Sequence, residues 1–246
     1  MKATRGLAVG AGLAAGAYLG YVGATWSRQG QAPGSPQEEG DALLDRFMPT
    51  YEVATRHHVQ IAAPAGIALE TARGLDLFAT PLLRAIFSTR ELLLGATGGN
   101  RPQPGGLLAV VQSLGWVILA DVPRREVLVG TVTRPWEPDG TWRRVSADEF
   151  TPFSEPGYVK IAWTLRADPI DGETASVFRT ETRATSTDPI AHAKFQPYWS
   201  LLSPGVNVVR RLLLARVKDA AERQFANTRL PRTTTPAAGV VTKVAG

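Results

Sequence analysis

The sequence predicts an α+β chain in which a curved antiparallel β-sheet wraps around a long C-terminal α-helix, with a transmembrane helix at the N-terminus. Three observations carry this prediction. An uncharged stretch near the N-terminus has the length of a bilayer span. Segments of period-two alternation recur between turn signals through the middle of the chain. Beyond residue 204, apolar residues are spaced three and four apart, as on one face of a helix.

Composition narrows the function classes. Of 246 residues, 44% are hydrophobic and 20% charged, which excludes wholesale disorder and a polytopic membrane protein. With no cysteine there is no disulfide, thiolate metal site or cysteine nucleophile, and three histidines leave little for a histidine-rich metal centre. The net charge of +5 and a pI near 9.8 admit anionic partners.

Gly6 to Trp26 contains no charge and is flanked by Lys2, Arg5 and Arg28, so residues 1–27 are expected to form a membrane anchor or signal segment. The excess of positive charge before it places the N-terminus in the cytoplasm and the domain outside; cleavage near Gly23 and Ala24 would instead give a secreted protein. Ala8, Gly12, Gly16, Gly20 and Ala24 form a small-residue stripe suited to self-association, and Tyr18, Tyr21 and Trp26 suit the membrane interface. Residues 28–50, with Gly30, Pro33, Gly34, Pro36, Gly40 and Pro49, read as a linker. Residues 51–226 form one domain, and 227–246, with Pro231, a threonine run and Pro236, a disordered tail.

Within the domain, Val53, Thr55, His57, Val59 and Ile61 alternate with polar neighbours and predict a strand ended by Pro64. Residues 65–95 read as two short helices broken by Gly74 and Pro81. Residues 95–106 form a loop, and the apolar runs 116–120 and 127–133 form a hairpin around residues 121–125. Strands over 157–167 and 174–187 flank a turn at 168–173. Pairing at a positional sum of 341 sets Trp163 against Phe178 and Lys160 against Glu181. Asp188-Pro189 caps a helix over 191–202, and Ser203-Pro204 starts a second, longer one bearing Val206, Val209, Leu213 and Val217.

Several segments then carry a family resemblance: Ile61-Ala62-Ala63-Pro64 at the end of the first strand, and Leu92 within Arg90-Glu91-Leu92. The run from Thr180 to Asp188 (TETRATSTD) and Phe195-Gln196-Pro197-Tyr198-Trp199 leading into the final helix add to it. Over about residues 40–226 the chain resembles the START-like, Bet v 1-type (SRPBCC) superfamily that includes polyketide cyclases and lipid-transfer domains, and most of all its membrane-anchored bacterial branch of unassigned activity. The resemblance implies a helix-grip fold with an apolar cavity between sheet and long helix; it implies no particular reaction.

The expected cavity lining is Trp116, Trp163, Phe178, Thr180, Thr182, Val209 and Leu213, with His57 as a polar cavity group. Apolar walls with a few hydroxyls suit a lipid-like or polyketide-like molecule. Arg179, Glu181 and Arg183 share a strand face and are expected to form a solvated charge ladder with Lys160. No metal site is indicated, because His57 and His58 point to opposite faces. No phosphate-cradling loop, dinucleotide fingerprint or Gly-x-Ser-x-Gly elbow is present, so no cofactor is expected. The basic residues of the last helix lack the aromatic interleaving that suits nucleic acid, which leaves a hydrophobic small molecule or lipid, and the membrane through residues 6–26, as expected partners. The sequence thus favours a membrane-anchored protein that binds or transfers a hydrophobic molecule. It favours this over a cyclase or dehydratase using the same cavity, because no acid–base pair is visible, and over a non-binding interaction module.

Overall fold

The computed structural model describes residues 16–25, 27, 40–76, 88, 105–170 and 172–229. Among the described residues six strands form one sheet: β1 (Val53–Ile61), β2 (Val117–Val122), β3 (Glu126–Arg134), β4 (Thr141–Arg143), β5 (Val159–Ile170) and β6 (Ala175–Ser186). Five helices are numbered here: α1 (Ala42–Phe47), α2 (Ala65–Gly74), α3 (Leu107–Ser113), α4 (Ala147–Phe150) and α5 (Pro189–Arg229). The strand order is β1-β6-β5-β3-β2, with every neighbouring pair antiparallel, and β4 pairs with β3. An antiparallel sheet with a long C-terminal helix is the α+β layout of a helix-grip fold.

β1 occupies the predicted strand, and β2 and β3 form the predicted hairpin. The β5–β6 register differs from the expected one. Residues pair at a sum of 345, so Trp163 faces Thr182, and Lys160 faces Thr185 instead of Glu181. The reason lies in the turn: β5 runs on to Ile170, three residues past its expected end, and the chain reverses at Gly172 and Glu173, whose φ values of 65° and 68° match a tight turn with two left-handed residues. Both sums are odd, so each side chain keeps the face expected for it even though its partner changes.

Asp188 caps α5 by accepting from the backbone N–H of Ile190 at 2.7 Å and of Ala191 at 3.0 Å. The two expected helices are one, 41 residues long, with Pro197 and Pro204 inside it. Phe195 and Trp199 hold the Pro197 turn against Val53, Val159 and Ala184 of the sheet. Packing thereby overrides the loss of backbone hydrogen bonds that proline imposes. α3 and α4 were not legible as helices; α4 opens with a capping box in which the side chains of Ser146 and Glu149 reach each other's backbone N–H.

The other face of the sheet is covered as well. Residues 41–50, assigned above to the linker, fold onto it: Leu44, Phe47 and Met48 pack with Leu119, Leu128, Val132, Phe150, Tyr158 and Ala162. The anchor lies mostly outside the described residues, as do the helices expected beyond residue 76, the loop before residue 105 and the tail beyond Arg229. Residues 16–25 are helical. Tyr18 Oη donates to the Leu201 carbonyl and Asn207 Nδ2 donates to Tyr21 Oη, each at 2.6 Å, so this segment lies against α5. Among the described residues no helix is long and apolar enough to cross a membrane.

Candidate functional site

The helix-facing side of the sheet is layered along β1 and β6. At one end Val59, Ile61, Val127, Val129, Trp163, Leu165 and Phe178 pack with Leu213, Val217 and Ala221 of α5. At the other end Val53, Val159 and Ala184 pack with Phe195 and Trp199. Between these two clusters the alternation continues with polar residues. β1 contributes Thr55 and His57, paired with Thr182 and Thr180 of β6. β3 contributes Thr131 and Thr133, which follow Val127 and Val129 on the same face. Ser200, Ser203 and Arg210 lie between Trp199 and Leu213 on α5, and Ser203 stands two helical turns before Arg210 on one stripe.

This middle layer is a belt of buried polar groups that are only partly satisfied. Trp163 Nε1 donates to Thr180 Oγ1 at 2.6 Å. Arg210 donates to Thr182 Oγ1 at 2.7 Å, and its guanidinium lies 4.1 Å from the centre of the Trp163 ring, a cation–π distance. Against these stand Thr55 Oγ1, His57 Nδ1, Thr131 Oγ1, Thr133 Oγ1, Ser200 Oγ, Ser203 Oγ and Arg210 Nε, all buried and without a hydrogen-bond partner among the described residues. Folded proteins pair most buried polar groups, with protein or with ordered water, so such a concentration is a candidate place for water or a bound molecule.

The electrostatics of the belt are positive. Burial pushes Arg210 down to about 9, which still leaves it charged at neutral pH. Burial, then Arg210 and Arg211, hold His57 below its usual value, so its imidazole is neutral at pH 7.

The expected lining residues converge on this region in two ways. Trp163, Phe178 and Leu213 are at most 4% exposed and belong to the packed cluster below the belt, because their apolar bulk is buried against α2 and α5. Trp116 meets Trp163 edge to face at 6.3 Å and is half-buried at the rim, as is Val209. Thr180, Thr182 and His57 sit in the belt itself. Thr55, Thr131, Thr133, Ser200 and Ser203 are not among the expected lining residues, and neither is Arg210. Its position three residues before Leu213 and seven after Ser203 placed it on the apolar stripe and was the available signal.

The Arg179, Glu181, Arg183 ladder is corrected by the structure. Glu181 and Arg183 are 6% and 1% exposed, lying on the outer face beneath residues 41–51. Arg183 donates to Glu181 at 2.7 Å, to Asp45 at 2.6 Å and to the Met48 carbonyl at 2.9 Å, and stacks 4.4 Å from the Tyr51 ring centre. Arg56 adds a second bridge to Glu181 at 2.9 Å. Lys160 is not part of this network and donates to the Thr151 carbonyl. The cavity over this face, lined by residues such as Asp41, Arg56 and Arg166, holds about 20 Å³, room for one water. A second cavity, of about 580 Å³, lies by Trp142, Arg144 and Phe153, away from the belt. Among the described residues no group of three acidic or histidine side chains is arranged to hold a metal ion.

No family model matches the chain, and no curated protein matches it by sequence. Solved structures do. One is a conserved protein from Geobacillus kaustophilus, 10% identical, covering 71% of this chain and 96% of its own, with a TM-score of 0.29. Another is the di-domain aromatase/cyclase BexL of the BE-7585A biosynthetic pathway, 12% identical over 69% of this chain and 46% of its own, with a TM-score of 0.27. A third is the Zhui aromatase/cyclase from Streptomyces sp. R1128, 14% identical over 70% and 94%, with a TM-score of 0.25. The last two are aromatase/cyclases, which corrects the preference for a binding protein over an enzyme. At these scores the likeness supplies no reaction for this chain.

Proposed function

We propose that the chain binds a hydrophobic small molecule, lipid-like or polyketide-like, in the polar belt between the sheet and α5. The observation that carries this reading is the set of seven unpartnered buried polar atoms lying between two packed apolar clusters. Apolar walls supply affinity by excluding water, and convergent polar groups fix orientation, which is the make-up of a small-molecule site. Leaving such groups unpaired costs about 1–3 kcal/mol each, which favours a bound molecule or ordered water that completes them.

Calorimetric titration with neutral 2-naphthamide tests the reading. One saturable site is expected on the full chain, and Ser203→Leu, which fills the belt, is expected to remove it. Absence of binding, or binding indifferent to Ser203→Leu, contradicts the proposal. A second reading, in which the site also moves a proton on the bound molecule, is favoured by His57. Its imidazole is neutral at pH 7 and its Nδ1 is unpartnered, the state a general base requires.

A further inference from the structure

Arg210 differs from the other buried or half-buried arginines around the sheet. Arg183 has Glu181 and Asp45, Arg166 has Asp168 at 2.8 Å, and Arg56 has Glu181. Arg210 has no carboxylate partner among the described residues: its contacts are one threonine hydroxyl and the face of an indole. The Trp163 ring and Thr182 hold the guanidinium in a fixed plane, while its Nε remains buried without an acceptor. A cation kept in the protein interior is costly unless a counter-charge completes it. The neighbouring groups offer none, since His57 is neutral and Arg211 adds positive charge. A planar guanidinium whose Nε still lacks an acceptor suits a carboxylate, which can accept from Nε and from the remaining Nη hydrogens.

We infer that Arg210 receives the carboxylate of the molecule bound in the belt, so that the ligand is an organic acid whose charged end meets α5 at the Trp163 face and whose apolar body lies along the sheet. This rests on the belt being a binding site, as proposed above. Thr182 and Trp163 act as positioning residues that present the guanidinium edge.

The test compares 2-naphthoate with its neutral isostere 2-naphthamide by calorimetric titration of the full chain. The native protein is expected to bind the carboxylate at least tenfold more tightly than the amide. Arg210→Gln is expected to weaken naphthoate about 10- to 100-fold, the range of a lost charge-assisted pair, and naphthamide by a smaller factor, so that the preference for the carboxylate is lost. Arg210→Lys, which keeps the charge but not the fork, is expected to retain part of the preference; it serves as the reporting variant if Arg210→Gln fails to fold. Equal affinity of the native chain for both probes, or an Arg210→Gln protein that still prefers naphthoate, overturns the inference while leaving the binding site standing. Failure of both probes to bind the native chain removes the site itself, and the inference with it.

Discussion

Two arginines on opposite faces of the sheet show how burial acquires different meanings. Arg183 is almost fully enclosed but answered on every side, by Glu181, Asp45, the Met48 carbonyl and the Tyr51 ring. Removing one partner of such a network strands the others, so Arg183→Ala is expected to destabilise the fold by about 3–5 kcal/mol in chemical denaturation. Arg210 is the reverse case, a cation awaiting its partner. His57 reports on that environment. Its value lies below the ordinary 6.5, so folding favours the neutral ring. The resulting stability is fully present above pH 6.5 and is lost as the pH falls through the lower folded value. An NMR titration of the His57 ring is expected to give a midpoint below 6.5 in the free chain, and a higher one once naphthoate offsets the charge of Arg210. A midpoint at or above 6.5 in the free protein contradicts this account of the belt.

Among the elements, α1 shows most clearly what local patterning does not reveal. Its six residues carry too little period to read, and their helix forms because Leu44 and Phe47 find an apolar face waiting on β3 and β5. Asp41, its N-cap, is also the hydrogen-bond partner of Glu126 on β3, whose carboxyl burial and this neighbour push up to about 8. Glu126 is therefore protonated in the folded chain at pH 7. The stability it contributes is complete below about pH 4.5 and is lost as the pH rises through 8. Glu126→Gln, neutral at every pH, is expected to flatten that decline and to stabilise the chain by roughly 1–3 kcal/mol above pH 8, as read by thermal unfolding across the range. Gly130 serves the same face. A Cβ there would meet Leu119 Cδ1 at 2.5 Å and Phe150 Cε2 at 2.9 Å, so α4 packs on β3 only because the position is bare. Gly130→Ala is expected to cost about 1–3 kcal/mol in denaturant unfolding. The β5–β6 hairpin was legible in its faces and not in its partners. Alternation assigns Trp163, Phe178 and Thr180 to one side whatever the turn, whereas the pairing depends on where the chain reverses, and Asp-Pro at 168–169 advertised an earlier turn than Gly172 and Glu173 make.

Across the whole molecule, the grip of a sheet on a long helix follows from period-two and period-3.6 patterns that stand openly in the sequence. The outer layer does not, because it depends on which distant residues are left uncovered. The candidate site was half visible. Thr180, Thr182 and His57 announced themselves as polar positions on an apolar strand face. The belt they belong to needed three strands and α5 brought to one level, since Thr131, Thr133 and Ser203 each look ordinary alone. That level separates the two packed clusters, and we propose it as the place for a guest. The most direct measurement is a crystal structure of the full chain grown with 2-naphthoate, at a resolution that shows ordered water. The predicted result is a naphthyl ring between the two clusters with its carboxylate on Arg210 and the belt hydroxyls turned toward it. A closed belt with its hydroxyls paired to one another, and naphthoate absent or bound elsewhere, would contradict the account.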